Sequence, residues 1–345
     1  MNHSDKSKVT PQTTIHSGFG SKTTAREALG GRSLKGKIAI VTGGYSGVGL
    51  EAVRVLAAAG AEVIVPARSP EKARQAVRGM ANVTTETLDL MDPASIDAFA
   101  GRFLASGRPL HLLINSAGIM ASPLMRDRRG YEAQFATNHL GHFQLTARLW
   151  PALRQAGGAR VVAVSSRAHR LGGVLFDDPN FARTEYDKWK AYAQSKTANV
   201  LFAAELDRLG QNSGVRAFSV HPGLIPSTGI GRFSGGKGAS RLLQGLGQSL
   251  LKQEWVLSLF INRSKKERGD AFKTIRQGAA TTVWCATSPQ LDGMGGVYCE
   301  DCDIAEAVPA DSDKGYGVRP WATDAGYARE LWRLSEELTG VKFEM

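Results

Sequence analysis

The chain has 345 residues, of which 42% are hydrophobic and 22% charged, a composition typical of folded globular domains. Its net charge of +11 comes from two segments: residues 1–36 carry six Lys/Arg against two acidic residues, and residues 232–276 carry ten against three. Basic residues confined in this way, without a recognisable motif, argue against a nucleic-acid-binding domain. No apolar run approaches the about 20 residues of a membrane-spanning helix. The polar N-terminus shows no secretory signal, so we expect a cytoplasmic protein.

From residue 37 onward, short β-branched runs alternate with helical stretches, which is the pattern of a parallel sheet covered by helices on both faces. The predicted strands are residues 38–41, 62–65, 84–88, 111–114, 160–164, 216–220 and 296–298, with helices over 48–59, near 70–80 and around 93–104. We therefore predict an α/β fold: a single-domain, doubly wound, mostly parallel Rossmann sheet over residues 37–310. Residues 1–36 are expected to form an arm that packs poorly or lies across the surface, and residues 311–345 a C-terminal tail with a helix.

The sequence between the first strand and its helix is Thr42-Gly-Gly-Tyr-Ser-Gly-Val-Gly49. Glycines let a backbone turn tightly and approach a pyrophosphate, while the helix N-terminus offers free N–H groups and a positive dipole end. In this strand–turn–helix context the loop predicts a dinucleotide site. Its candidate cofactor-binding residues are Gly43, Tyr45, Ser46, Gly47, Val48 and Gly49.

The second predicted strand indicates which dinucleotide is bound. NAD enzymes usually place an acidic residue at the end of this strand for the ribose 2′-OH, but here the chain reads Val65-Pro66-Ala67-Arg68. The guanidinium of Arg68 suits a 2′-phosphate. NADP(H) is therefore favoured over NAD(H).

Tyr192 and Lys196 lie four residues apart on a predicted helix, which places phenol and ammonium on one face. A nearby cation stabilises phenolate, so we expect Lys196 to lower the tyrosine pKa from its ordinary value near ~10. The pair is a candidate for proton transfer at neutral pH.

Further motifs accompany this pair in a fixed order: Asp89-Leu90, Asn115-Ser116-Ala117-Gly118, Asn138, Ser165-Ser166 and His221-Pro222-Gly223. Together with the glycine loop and Tyr192-x-x-x-Lys196, they resemble the short-chain dehydrogenase/reductase family over about residues 37–230. The resemblance implies an NAD(P)-dependent enzyme acting on CH–OH or C=O groups.

The resemblance also implies residue roles. Ser166, taken as the family's second serine, would hydrogen-bond the substrate oxygen, which Tyr192 would protonate. Lys196 would bind the nicotinamide ribose, and Asn138 would hold a water in a proton relay. The further cofactor contacts implied are Asp89, Leu90, Asn115, Ala117, Gly118, Pro222 and Gly223.

Several departures from the family pattern bear on these roles. Asn115-Ser116 replaces the commoner Asn-Asn, and Ser46 stands where some NADP-using members carry a basic residue, so the NADP prediction depends on Arg68. The long stretch between Ser166 and Tyr192 resembles the retinol-dehydrogenase and protochlorophyllide-reductase branch. So does the sequence at Ser227 and Thr228, where hydroxyls would contact the cofactor.

Residues 229–276 mix large apolar and basic residues, and the resemblance places the substrate-binding loop here. We expect a helical substrate lid suited to an apolar substrate; an interfacial helix on anionic lipid and ordinary core helices are the alternatives. The leading function is interconversion of a carbonyl and an alcohol. Reduction of a carbon–carbon double bond and a nucleotide-sensing protein without turnover are the alternatives, and a homodimer is left open.

The three cysteines are Cys285, Cys299 and Cys302. An odd number without a signal peptide argues against a disulfide framework. The C-x-x-C pair has no second pair to complete a zinc site, so we interpret it as two thiols at the end of a strand and expect no metal.

Overall fold

The computed structural model of the protein describes residues 9–226, 230 and 272–344. Ser227, Thr228 and most of the predicted lid at 229–276 lie outside the described residues.

The described residues form one eight-stranded sheet in the order β3-β2-β1-β4-β5-β6-β7-β8. Its strands are β1 (Ile38–Thr42), β2 (Glu62–Ala67), β3 (Val83–Thr87), β4 (Leu112–Asn115), β5 (Ala159–Val164), β6 (Val215–His221), β7 (Val297–Glu300) and β8 (Asp303–Ile304). The pairs from β3 to β7 are parallel, and β8 is antiparallel to β7. The predicted doubly wound sheet is thus confirmed, and each predicted strand lies within two residues of its observed bounds. The short β8 was not predicted.

Helices cover the sheet on both faces. They are α1 (Ala25–Leu29), α2 (Gly47–Ala58), α3 (Pro70–Ala76), α4 (Pro93–Ala105), α5 (Ala133–Phe135), α6 (Gly141–Arg148), α7 (Trp150–Gln155), α8 (Lys188–Gly210), α9 (Ile275–Gly278), α10 (Ala280–Thr287), α11 (Pro320–Thr323) and α12 (Ala325–Thr339). Neighbouring residues of β1 point to opposite faces of the sheet. Val41 belongs to the core cluster that includes residues of α2 and α10, and Ile40 to the cluster that includes residues of α4 and α6. Strands buried on both faces read as continuous apolar runs, which is why the sequence predicted them.

Residues 9–36 are firmly attached to the sheet. The Gln12 amide donates to the carbonyls of Tyr298 and Ala305 at 2.8 and 2.7 Å and accepts from the Tyr298 N–H at 2.9 Å. Ala25 and Ala28 of α1 are fully buried in the core that includes α10. Poor packing, one of the two expectations for this arm, is therefore wrong for the described residues.

The C-terminal tail contains the predicted helix, α12. Its Trp332 stacks on Phe202 of α8, with ring centroids 6.0 Å apart. All three cysteines are free and buried, with Cys299 in β7 and Cys302 in the turn before β8.

Candidate active site

A cavity of about 1000 Å³ opens at the carboxyl ends of the parallel strands. The sheet order reverses between β1 and β4, and ligands of open α/β sheets bind in the crevice outside such a switch point. The predicted site residues that line the cavity are Gly43, Tyr45, Ser46, Gly47, Val48, Gly49, Arg68, Asp89, Leu90, Ala117, Gly118, Ser166, Tyr192, Lys196, Pro222 and Gly223. The predicted site residues Asn115 and Asn138 are buried and do not line the cavity.

The glycine loop packs so closely that two of its positions have no room for a Cβ atom. Gly43 has φ +67°, and a Cβ there would come within 2.9 Å of the Ala117 Cα; a Cβ on Gly49 would come within 2.6 Å of the Gly43 carbonyl oxygen. Helix α2 begins with no side-chain cap and no acidic residue in its first turn. Its first N–H groups and positive dipole end are thus available to an anion.

Thr42 joins this loop to the loop after β4. Its hydroxyl accepts from the N–H groups of Ser116 and Ala117 at 2.9 and 3.0 Å and lies 2.9 Å from His142 Nε2. The other ring nitrogen, Nδ1, is 3.0 Å from the Asn138 carbonyl, which can only accept. Nδ1 therefore carries the hydrogen, and the Thr42 hydroxyl donates to Nε2. The sequence singled out Thr42 only as the first residue of the loop, and His142 not at all.

Arg68 and Asp89, which follow β2 and β3, line one part of the cavity. Arg68 follows β2 with its side chain exposed and makes no ion pair with any other described residue. The Asp89 carboxylate accepts from the Met91 N–H at 3.0 Å. Asn115 is buried in β4, and its amide donates to the Thr146 hydroxyl at 3.2 Å.

Tyr192 and Lys196 lie on α8. The N-cap residue of this helix is Asp187, whose carboxylate accepts from two N–H groups of the first turn. Both side chains are almost completely buried. The Lys196 ammonium lies 5.7 Å from the centre of the Tyr192 ring and donates to the Val164 carbonyl at 2.9 Å. A strand end therefore fixes the position of the ammonium beside the phenol.

The expected lowering of the tyrosine pKa is not found. Burial raises the pKa of Tyr192 to about 12, and a hydrogen bond with the Ser166 hydroxyl only partly opposes this rise. Burial also lowers the pKa of Lys196 to about 8. The prediction considered only the cation, but the pKa of Tyr192 is set by desolvation of the phenolate and by Ser166, with no contribution from Lys196.

The two adjacent serines have different surroundings. The Ser165 hydroxyl donates to the Lys196 carbonyl at 2.7 Å and so holds α8 against β5. Ser166 caps the 3₁₀ turn Arg167–Leu171, where its Oγ accepts from the Ala168 N–H at 3.2 Å. This leaves the Ser166 hydroxyl hydrogen for a partner in the cavity, such as the Tyr192 hydroxyl.

Asn138 lies in the π-helical turn Ala136–Leu140, between α5 and α6. Its amide donates to the Ile119 carbonyl at 2.9 Å and the Ser195 hydroxyl at 3.0 Å, and Ser195 donates to the Tyr192 carbonyl at 2.8 Å. Asn138 therefore connects the loop after β4 to the tyrosine backbone. Because both amide hydrogens are used, its predicted water would have to bind one of its oxygen atoms.

The family model described as short chain dehydrogenase matches residues 37–234. The chain belongs to this family. This short-chain dehydrogenase is 41% identical over 311 residues to a "Probable oxidoreductase" of Streptomyces antibioticus, which covers 88% of this chain and 98% of that one. It is 37% identical over 318 residues to human "Retinol dehydrogenase 12", and the match covers 90% of this chain and 89% of the human protein. A crystal structure of a putative uncharacterised protein from Mycobacterium paratuberculosis superposes with a TM-score of 0.68 at 32% sequence identity. The superposition covers 91% of this chain and 97% of that one.

These similarities identify the chain as a dehydrogenase/reductase enzyme, and members of its family bind a nicotinamide cofactor. Among the described residues, no helix combines the length and the apolar character needed to span a bilayer.

Proposed function

We propose that this enzyme is an NADP(H)-dependent oxidoreductase that interconverts a carbonyl and an alcohol on an apolar substrate, with Tyr192 as the general acid/base. The observation that carries the proposal is the meeting of the Tyr192 and Ser166 hydroxyls at the wall of one cavity, with the Lys196 ammonium beside them. Two hydroxyl donors at one point suit a single substrate oxygen on which negative charge develops.

The protonation state of Tyr192 supports a role as the acid in carbonyl reduction. A phenol with a pKa of about 12 is protonated at neutral pH, so it has a proton to give. Ser166 can hold the carbonyl oxygen while Tyr192 donates its proton to that oxygen. The nicotinamide cofactor, when bound, supplies the hydride. In alcohol oxidation the same groups act in reverse.

The apolar part of the cavity wall supports an apolar substrate. It includes Ile119, Met120, Met125, Leu224 and Ile225. Apolar walls with a few placed polar groups are typical of sites for small organic molecules.

Replacing the phenol tests the proposal directly. We expect Tyr192→Phe to lower kcat for NADPH-dependent reduction of apolar aldehydes and ketones by about 10²–10⁴-fold, because the proton donor is lost. NADPH affinity should stay within about twofold, since the ring still fills its buried position. Tyr327→Phe, at an exposed tyrosine of α12, is the matched control and should leave both unchanged. Unaltered turnover in Tyr192→Phe would contradict the mechanism, and formation of saturated carbonyls from enones instead of alcohols would contradict the reaction class.

A further inference from the structure

We propose that His169 is a positioning residue for the reaction, fixing the direction of the Ser166 hydroxyl from the far side of the active-site wall. The inference depends on the proposed function in one respect, namely that Ser166 contacts the substrate oxygen. His169 does not line the cavity, and sequence reasoning gave it no role.

The hydrogen bonds of the imidazole determine its tautomer. Nδ1 lies 2.8 Å from the Ser166 carbonyl oxygen, and Nε2 lies 3.4 Å from the Arg319 backbone nitrogen. The carbonyl can only accept and the backbone N–H can only donate, so Nδ1 carries the hydrogen and Nε2 is the acceptor. The ring is fully buried. A neutral imidazole in a single orientation therefore connects Ser166 to the segment that precedes α11.

His169 is itself held by three separate parts of the fold. Its carbonyl accepts from Trp321 Nε1 at 2.8 Å. The Thr197 hydroxyl lies 3.3 Å from the same carbonyl and makes its shorter hydrogen bond, of 2.7 Å, to the Gly172 carbonyl at the end of the turn. Its ring packs on Tyr298 of β7, with centroids 4.8 Å apart. Thr197 directly follows Lys196 on the catalytic helix. The imidazole is thus positioned by α8, by the sheet and by the C-terminal segment together.

This arrangement fixes both ends of a very short turn. The Ser166 carbonyl accepts from the His169 N–H at 3.1 Å as well as from its ring, while Ser166 Oγ accepts from the Ala168 N–H at 3.2 Å. With the Ser166 carbonyl and Oγ both held, the hydroxyl is kept in position for its hydrogen bond with Tyr192. Without the ring, the turn keeps one hydrogen bond to that carbonyl, and the serine gains freedom to turn away from the substrate. Small losses of orientation at reacting groups cost up to about 10²-fold in rate.

The test compares His169→Leu, which removes the ring hydrogen bonds, with His169→Asn, whose short amide keeps a donor near the position of Nδ1. Each is made in the native chain and in a Ser166→Ala background. The measurements are kcat and KM for reduction of an apolar ketone, the Kd of NADPH and the thermal midpoint Tm. We expect His169→Leu to lower kcat about 10- to 100-fold with the NADPH Kd within twofold, and His169→Asn to recover most of the loss. In Ser166→Ala, His169→Leu should cost no more than about twofold, because the residue through which it acts is gone.

Equal losses from His169→Leu in the two backgrounds would overturn the proposal, since they would show a general structural effect. So would an Asn variant that folds with native Tm but is no more active than the Leu variant. If His169→Leu does not fold, Trp321→Phe weakens the same support while keeping an aromatic ring, and its smaller loss of kcat should likewise vanish in Ser166→Ala. Full turnover in Ser166→Ala alone would overturn the proposed role of the serine and this inference with it. An impaired Ser166→Ala with additive losses would overturn only this inference.

Discussion

At the scale of single residues, we propose that Arg68 determines the choice between the two nicotinamide cofactors. Its guanidinium is exposed at the cavity rim after β2, a strand end where NAD enzymes usually carry an acidic residue. We expect Arg68→Ala to raise the Kd of NADPH about 10- to 100-fold and to leave the Kd of NADH unchanged, because charge-assisted hydrogen bonds to the 2′-phosphate contribute about 1.5–3 kcal/mol.

Titration of both cofactors by fluorescence measures this difference. Arg74→Ala is the matched control, because Arg74 lies close by on α3 and pairs with Glu71 at 2.8 Å in an exposed position. If Arg68→Ala changed the Kd of NADPH and the Kd of NADH by the same factor, Arg68 would not bind the 2′-phosphate.

Single residues also show what the sequence could and could not predict at the site. Spacing alone placed Tyr192 and Lys196 on one helix face, since helical geometry is local. The pKa of Tyr192 could not be predicted in this way, because its rise to about 12 comes from burial, which is a property of the assembled fold. His142 and His169 were missed for a related reason: their partners lie on other segments, and no local pattern marks them.

At the scale of elements, patterns of hydrophobicity predicted the parallel strands well, but not the edge of the sheet. The two residues of β8 are too few to show a periodicity. The Ser- and Thr-rich arm suggested loose packing, whereas the described part of it lies against β7 and the segment after β8. Its contacts come from individual polar side chains such as Gln12, which composition does not reveal.

We expect Gln12→Ala to lower the free energy of unfolding by about 1–3 kcal/mol. The side chain makes three hydrogen bonds of 2.7–2.9 Å to the backbone of Tyr298 and Ala305, and leaving such half-buried groups without partners costs about this much. Urea unfolding at neutral pH measures the change. Gln155→Ala, which removes one exposed bond to the Gly107 carbonyl, should change it far less. A Gln12→Ala chain as stable as the native one would mean that the arm adds nothing to the stability of the sheet.

At the scale of the whole molecule, buried neutral histidines make the fold sensitive to acid. Burial lowers the pKa of His139 to about 3 and those of His142 and His169 to about 4, whereas the unfolded chain titrates near ~6.5. As the pH falls from about 6.5 toward 4, the unfolded state takes up protons that the folded state does not. The free energy of unfolding must therefore fall, by about 2 kcal/mol for each such histidine at pH 5. Losses of this size are a large part of the about 5–15 kcal/mol of a typical domain.

His139→Phe isolates one of these contributions. The ring lies among Phe135, Phe143 and Phe202, with centroids 5.2–6.2 Å away, so phenylalanine suits the surroundings. At pH 7.5 the variant loses the hydrogen bond to the Ser335 hydroxyl, 2.7 Å from Nε2, and the hydrogen bond with the Asn199 side chain. Between pH 6 and 4.5 its free energy of unfolding should fall less steeply than that of the native chain. The two slopes should differ by up to about 1.4 kcal/mol per pH unit, because one proton fewer is taken up on unfolding. Urea unfolding across this range gives both slopes. If the free energies of unfolding of the two chains changed with pH at the same rate, His139 would have to be protonated in the folded protein or neutral in the unfolded one. The acid sensitivity would then come from other groups.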